Sequence, residues 1–352
     1  NGNQRNKDYS KAILYAKKVL EIDDQNISAL SNLGLAYLYE LKITEAIKLF
    51  EKILKINPHL PNTYTNLGLA YRFKSNYELS EINYKKSLKV KDDDRVREDL
   101  GWTQLSQLKF SEGWNNLLNY TFNFKDKFLS NSPVPLWNPN FGFNHILIWG
   151  QYGLGEQILF SSIIPELSNK FKQITFMVEK RLVKLMRNSF PNITIIEKST
   201  NIDLKIFDYH LPITSLGLYF RKSLNDFKPQ SQILRVNKIN NQKRKKLKCA
   251  ISWKSNNPEF GSLKSLDFES LKYLTNLLEK NNIDFYNIQY TNEDSDIERL
   301  KIENNIGIKI IENLDLLNDI NELAEFINDC DFTINISNTN AHLSAALNKK
   351  SY

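Results

Sequence analysis

Three glycines and one carboxylate stand in the stretch GQYGLGEQILFSS, residues 150–162, which continues the apolar run HILIW. The spacing G-x-x-G-x-G matches neither the dinucleotide fingerprint nor the Walker loop. Gly153 and Gly155 permit a tight turn and close backbone approach by a substrate. Glu156 stands where a helix begins, and the positive end of the helix dipole stabilises a carboxylate there. Facing a cleft opposite an anion site, that carboxylate suits a general base taking the proton of a hydroxyl nucleophile. The plainer reading is a helix-start glutamate with no chemical duty.

A second constellation lies in SNTNAHLSAAL, residues 337–347. Ser337, Asn338 and Thr339 are good N-cap types, and free N–H groups at such a helix start favour an anion. His342 falls in the first turn, within reach of a phosphate, although a capped helix with an incidental histidine reads the same. Lys254 and Lys264 could add positive charge to that phosphate, or simply be solvated. Other groups follow apolar runs, where open parallel sheets bind ligands beyond their carboxyl ends. They are Asp208-Tyr209-His210, Ser255 with Asn256, and Tyr290 with Thr291.

The elements that must position these groups alternate in type. From His145 on, the apolar runs ILIW, ITFMV, ITII and IFDYHLPI are interleaved with amphipathic stretches starting at Glu156 and Glu179. The rhythm resumes with CAISW, a helix from about Phe268, DFYNIQY, a helix near Asp296, IKII, a helix near Ile320, and FTINI. Such alternation predicts parallel sheets with helices on both faces. The expected halves are two Rossmann-like units, residues 144–238 and 247–352, joined by a basic linker at 239–246. Pro133, Pro135 and Pro139 exclude helix from NSPVPLWNPNFGFN and predict an extended connector over residues 125–143.

The N-terminal segment repeats itself. SNLGLAYLYE at Ser31 recurs as TNLGLAYRFK at Thr65, an offset of 34 that also links Ala12, Ala46 and Ser80. This period, with Leu-Gly-x-x-Tyr and later Ala, an aromatic and a repeat-ending residue, resembles the tetratricopeptide repeat. Residues 1–124 are therefore expected to be stacked helical hairpins, with Leu33, Gly34, Tyr37, Leu67, Gly68 and Tyr71 buried at equivalent positions. The pattern is truncated in the first unit and decays in a fourth around DLGWTQLSQLKFSEGW.

Composition narrows the rest. Hydrophobic residues at 41% and charged residues at 25% are ordinary for a globular protein, and no apolar run approaches the roughly 18 residues of a membrane span. Cys249 and Cys330 sit in apolar runs and read as buried, reduced thiols of a cytoplasmic protein. Four scattered histidines argue against a metal site. The net charge of +7 has one dense basic run, Lys243–Lys248, read as a solvated linker rather than a nucleic-acid contact. The chain starts with Asn1 and stops at NKKSY, so it is expected to be a fragment at both ends.

The ordered series EGW, PLW, ILIWGQYGLGEQILFSSIIP, FDYHLPITSL, ISWKS, LKSLDFESL, NIQY and DFTINISNTNAHLSAAL resembles a bacterial combination. In it, tetratricopeptide repeats are fused to a domain similar to the heptosyltransferases of glycosyltransferase family nine. The resemblance implies a GT-B fold, with two Rossmann-like halves across a cleft. It also implies metal-independent, inverting transfer of a hexose or heptose from a nucleotide diphosphate sugar, with no further cofactor. Glu156 matches the family's acid after Gly-Leu-Gly, usually Asp, which is held to be the base. Lys254 matches a basic residue associated with donor phosphates, and His342 the histidine of an Asp-x-x-x-x-His-Leu segment beside the donor. Ser337 stands where that segment has Asp. The partners implied are a nucleotide sugar, a glycan or protein acceptor, and a protein docked in the repeat groove. The alternative is a non-catalytic repeat scaffold with a degenerate nucleotide-sugar-binding domain.

Overall fold

The computed structural model describes residues 9–120, 129, 132–199, 202–230, 232–237, 245–255, 257, 261–279, 282–290 and 307–352. Asn256, Thr291, the helix expected near Asp296 and most of the basic linker lie outside the described residues. The chain divides into two compact units, Asn1–Asn131 with Gly217–Phe227, and Ser132–Leu216 with Lys228–Tyr352.

The first unit has seven helices among its described repeat residues. They are α1 (Tyr9–Ile22), α2 (Ile27–Tyr39), α3 (Ile43–Ile56), α4 (Pro61–Phe73), α5 (Tyr77–Val90), α6 (Asp94–Ser106) and α7 (Phe110–Tyr120). Asn26 caps α2 by accepting from Ala29 N at 3.0 Å, and Asn76 caps α5 by accepting from Leu79 N at 3.1 Å. Each hairpin closes by setting a side chain against a glycine. A Cβ on Gly34 would lie 2.6 Å from the Phe50 ring, and one on Gly68 would lie 2.7 Å from the Tyr84 ring. The decayed fourth hairpin keeps the device, since a Cβ on Gly101 would lie 3.0 Å from Leu117 Cγ.

Leu33, Gly34, Leu67 and Gly68 are buried as the repeat predicts, but Tyr37 and Tyr71 are only half-buried. Their rings pack against the margin of the repeat core. Lys42 lies over the Tyr37 ring, and the Tyr71 hydroxyl meets Glu51. Each hairpin turn also places one residue in the left-handed region, Leu41 (φ 61°), Ser75 (φ 56°) and Leu108 (φ 61°). The closing bonds Lys42 N to Tyr37 O, Asn76 N to Tyr71 O and Lys109 N to Gln104 O span 2.8–2.9 Å.

Gly217–Phe227 join this unit from far along the chain. A Cβ on Gly217 would lie 2.6 Å from the Trp114 ring, and Trp114 Nε1 donates to Arg221 O at 2.8 Å. The Phe227 ring packs tilted against Phe110, with ring centroids 5.1 Å apart.

The second unit carries two separate parallel sheets. The first comprises β1 (His145–Trp149), β2 (Gln173–Val178), β3 (Thr194–Glu197) and β4 (Tyr209–Pro212), in the order β3-β2-β1-β4. The second comprises β5 (Leu247–Ser252), β6 (Ile283–Asn287), β7 (Ile308–Lys309), β8 (Phe332–Asn335) and β9 (Lys350–Ser351), in the order β7-β6-β5-β8-β9. Ile146 to Trp149 are buried without alternation, as strands covered on both faces require. Strand β9 was not expected in NKKSY, because two residues carry no periodic signal; it pairs Lys350 with Phe332 and Ser351 with Thr333.

Eight described helices belong to these sheets or their connections. They are α8 (Leu154–Phe160), α9 (Ile164–Ser168), α10 (Val183–Ser189), α11 (Leu216–Phe220), α12 (Gly261–Lys264), α13 (Phe268–Glu279), α14 (Ile320–Asp329) and α15 (Thr339–Ala346). Of α11 only Leu216 belongs to the second unit. The two sheets are tied by polar contacts between their helices and loops. Asn188 Nδ2 donates to Asn321 Oδ1 at 3.1 Å, and Arg181 Nη1 donates to Leu317 O at 3.2 Å. Between them run Ile233 and Leu234, whose N–H groups both donate to Ala346 O at 2.9 Å.

The basic run is not all linker. Leu247 and Lys248 open β5, and Lys248 Nζ donates to Asp329 at 2.7 Å while lying over the Phe326 ring. A cavity of ≈ 450 Å³ opens here, lined by Lys245, Lys246, Lys248, Asp284 and Tyr286. Asp284 binds Lys246 at 3.8 Å and Lys309 at 3.0 Å, so much of the positive charge is compensated internally. It sits at the amino edge of the sheet, away from the edge where the candidate residues gather.

Candidate functional site

In both sheets the strand order reverses beside the first strand, between β1 and β4 and between β5 and β8. Such switch points open crevices at the carboxyl edge. Each crevice is bridged by polar side chains, of which only Asn338 was singled out by the sequence reading. At the first, Thr214 Oγ1 donates to Gln151 Oε1. At the second, Asn338 Nδ2 donates to Ser252 Oγ at 3.0 Å, and Ser252 Oγ to Asn335 Oδ1 at 2.7 Å.

Helix α8 leaves the first crevice and α15 the second, and their first turns touch. A Cβ on Gly155 would lie 2.9 Å from His342 Cδ2 and 3.5 Å from Thr339 Cα. Gly155 therefore makes room for this chain's own histidine. The left-handed residue of the glycine loop is Tyr152 (φ 57°), while Gly153 has φ −84° and precedes the helix in extended conformation. Glu156 is half-buried in the first turn of α8, with Oε2 3.1 Å from where a Gly153 Cβ would stand. Among the described residues its carboxylate makes no ion pair. Burial holds the His342 imidazole below its ordinary range; Glu156 opposes that shift and Lys264 adds to it. A neutral imidazole offers one N–H to an anion.

The carboxyl edge thus brings Glu156, His342, Thr339 and Lys264 together. Asn338 is spent on structure, its Oδ1 capping Ala341 N at 3.2 Å and its Nδ2 also 3.4 Å from Lys254 O. That contact sets the Lys254 loop beside the start of α15. Ser337 is exposed at the same turn, and Tyr290 is half-buried at the end of β6. His210 stands apart. It is 3% exposed, its Nδ1 accepts from Trp149 Nε1 at 3.2 Å, and its ring also bonds the Val134 backbone. Burial pushes its pKa down to about 4. Both cysteines are buried free thiols, and burial pushes that of Cys249 up. Among the described residues no three His, Cys, Asp or Glu side chains gather as a metal would need.

Gln289 and Asn340 were missed by the sequence reading. Gln289 Oε1 accepts from Trp253 N at 3.0 Å and Lys254 N at 2.7 Å, and Asn340 Nδ2 donates to Ile288 O at 2.7 Å. Uncharged amides without a motif give no signal. Only their places just after β6 and β8 could have found them.

Residues 27–60 and 61–94 each match the tetratricopeptide repeat family. No curated protein matches the chain. Among solved structures, MamA from Desulfovibrio magneticus RS-1 is 19% identical with a TM-score of 0.31, over 32% of this chain and 65% of that one. A thermophilic TPR protein of Thermus thermophilus, TTC0263, is 17% identical with a TM-score of 0.29, over 34% and 64%. The chain spans less than two thirds of either structure. No helix among the described residues is long and apolar enough to cross a membrane.

Proposed function

We propose that the second unit is a GT-B glycosyltransferase domain that moves a sugar from a nucleotide diphosphate donor to a hydroxyl acceptor. In this reading the tetratricopeptide repeats dock a protein partner, which can be the acceptor itself. The observation that carries the proposal is the meeting of α8 and α15 at their first turns. It sets a carboxylate from one switch point beside an anion-suited helix start from the other. Glu156 takes the proton as the acceptor oxygen bonds the anomeric carbon on the face opposite the diphosphate, so the configuration inverts. The anomeric carbon–phosphate oxygen bond breaks with its electron pair going to the diphosphate. Lys254, His342 and the N–H groups of Ser337–Thr339 hold that leaving group without a metal.

A non-catalytic scaffold is the second reading. It is favoured by Ser337, a hydroxyl where the resembled family has an acid, and by the Glu156 carboxylate lying over its own helix start. One experiment separates them. Nucleoside diphosphate release is followed with a panel of nucleotide sugars and acceptors, for wild type and Glu156→Gln, beside calorimetric titration of the same nucleotide sugars. Transfer needs turnover in wild type, its loss in Glu156→Gln and unchanged binding in both. Binding without turnover in wild type supports the scaffold, and equal turnover in both proteins removes Glu156 from the reaction.

A further inference from the structure

Three buried side chains at the carboxyl edge of the second sheet leave one polar atom without a hydrogen-bond partner, Trp253 Nε1, Gln289 Nε2 and Asn340 Oδ1. These residues are 1%, 2% and 0% exposed. Buried polar atoms in folded proteins are nearly always paired, so the two amides, both held by backbone groups beside the end of β6, call for a partner that the chain does not supply. The orientation of both amides is decided by the backbone. Two N–H groups, Trp253 N and Lys254 N, require an acceptor and so fix Gln289 Oε1 toward them. The Ile288 carbonyl requires a donor and so fixes Asn340 Nδ2. What remains is an N–H donor on Gln289 and a carbonyl acceptor on Asn340, both anchored at the end of β6. A hydroxyl can accept from the first and donate to the second. A phosphate oxygen cannot, because Asn340 Oδ1 offers it only lone pairs.

We infer that Gln289 is a positioning and specificity residue, fixing the Lys254 loop through Oε1 and donating its free N–H to a hydroxyl of the bound ligand, which donates in turn to Asn340 Oδ1. The inference rests on the proposed nucleotide-sugar site and adds its polarity: the ligand's phosphates lie toward Lys254 and His342, and an uncharged hydroxyl lies against the amides.

Gln289→Glu tests this directly. A carboxylate keeps the acceptor for Trp253 N and Lys254 N but loses the donor; protonated, it regains an O–H. The full chain is titrated with uridine, guanosine and adenosine diphosphate sugars and with pyrophosphate, near pH 8 and near pH 5.5, always as the ratio of variant to wild type. That ratio cancels titration of His342 and of the ligands. The expected result is a cooperative melting transition, showing that the variant folds, and nucleotide-sugar affinity lowered about tenfold near pH 8, recovering near pH 5.5. Gln289→Leu should be weak at both pH values. Wild-type affinity of Gln289→Glu near pH 8, or an equal deficit at both values, overturns the donor role. If wild type binds but Gln289→Leu binds equally well, the site stands and this inference falls. If wild type binds no probe, the proposed site falls and takes the inference with it.

Discussion

Glu81 in the repeats and Gln289 at the sheet edge are both buried and polar, yet they are treated in opposite ways. Glu81 accepts from Lys109 at 2.6 Å, Lys85 at 2.7 Å, Gln107 at 2.9 Å and Gln104 at 3.1 Å. Burial pushes its carboxyl up, but these donors outweigh burial and leave its pKa at about 2. Gln289 is neutral and keeps half its amide unmatched. The first unit has one such atom among its described residues, the Tyr84 hydroxyl, carried by the ring that fills the space over Gly68. Just past the end of β6, Gln289 and Asn340 each keep one. A network completed by the chain itself is a structural device, whereas one left open by the chain lacks a partner that a ligand can supply.

Removing Glu81 is the strongest way to break this contrast. Glu81→Ala leaves the buried Gln104 Nε2 without an acceptor, while Gln107 keeps the Tyr77 and Thr103 carbonyls and Lys85 and Lys109 can turn to water. A loss of about 3 kcal/mol is expected, confined to the melting transition of the repeat unit. A loss below about 1 kcal/mol would mean that the network is decorative. Gln289→Leu, which also strips two backbone N–H groups of their acceptor, should destabilise the other transition by about 1–2 kcal/mol. Calorimetry of both variants ranks the two networks.

Acid should take the units apart in order. His210 is buried neutral, with a pKa of about 4 against an ordinary 6.5. The unfolded chain therefore binds a proton that the folded one refuses as pH falls from about 6.5 to 4, and the second unit loses up to about 3 kcal/mol over that window. Glu81 titrates at about 2 when folded against an ordinary 4.5. Its contribution, of similar size, is present above about pH 4.5 and disappears between about 4.5 and 2. Melting curves near pH 7.5, 5 and 3 should show the second unit weakening first. A repeat transition that falls between pH 7.5 and 5 while the other holds would reverse the assignment.

The same contrast governs what the sequence makes readable. Gly34 with Phe50 and Gly68 with Tyr84 are local pairs that recur at the repeat period, so a pattern in one stretch announces the contact in the next. Parallel sheets were implicit in the alternation of elements, though not their strand order, and Glu156 and His342 were legible as helix-start residues. Gly217 against Trp114 was not, because LGLYFRKSLNDF reads like the α/β segment around it and its partner is distant. Gln289 and Asn340 escaped for a related reason: their meaning lies in what fails to pair with them, and no spacing records that. The glycines give a paired test. Gly68→Ala and Gly217→Ala each place a methyl within 2.6–2.7 Å of an aromatic ring. Both should lower the repeat transition by about 2 kcal/mol. An effect of Gly217→Ala on the second transition instead would show that Gly217–Phe227 stabilise the other unit.

The smallest expected effect separates the units by sign. Leu41 and Tyr152 both hold left-handed backbone without being glycine, at φ 61° and 57°. That conformation costs an L-residue about 1–2 kcal/mol, of which glycine returns a part through its greater freedom when unfolded. Leu41 is exposed in a hairpin turn, so Leu41→Gly gives up little packing and should stabilise the repeats by about 0.5 kcal/mol. Tyr152 is half-buried in the glycine loop, with its hydroxyl out of water, so Tyr152→Gly relieves the same strain but removes a packed ring. Its net effect should be a loss of about 1 kcal/mol or more. Urea unfolding of the two variants beside wild type reads both signs. Stabilisation by Tyr152→Gly would show that the ring does not hold the loop that presents Glu156, and the tight turn would then be as indifferent to its side chain as the turns of the repeats.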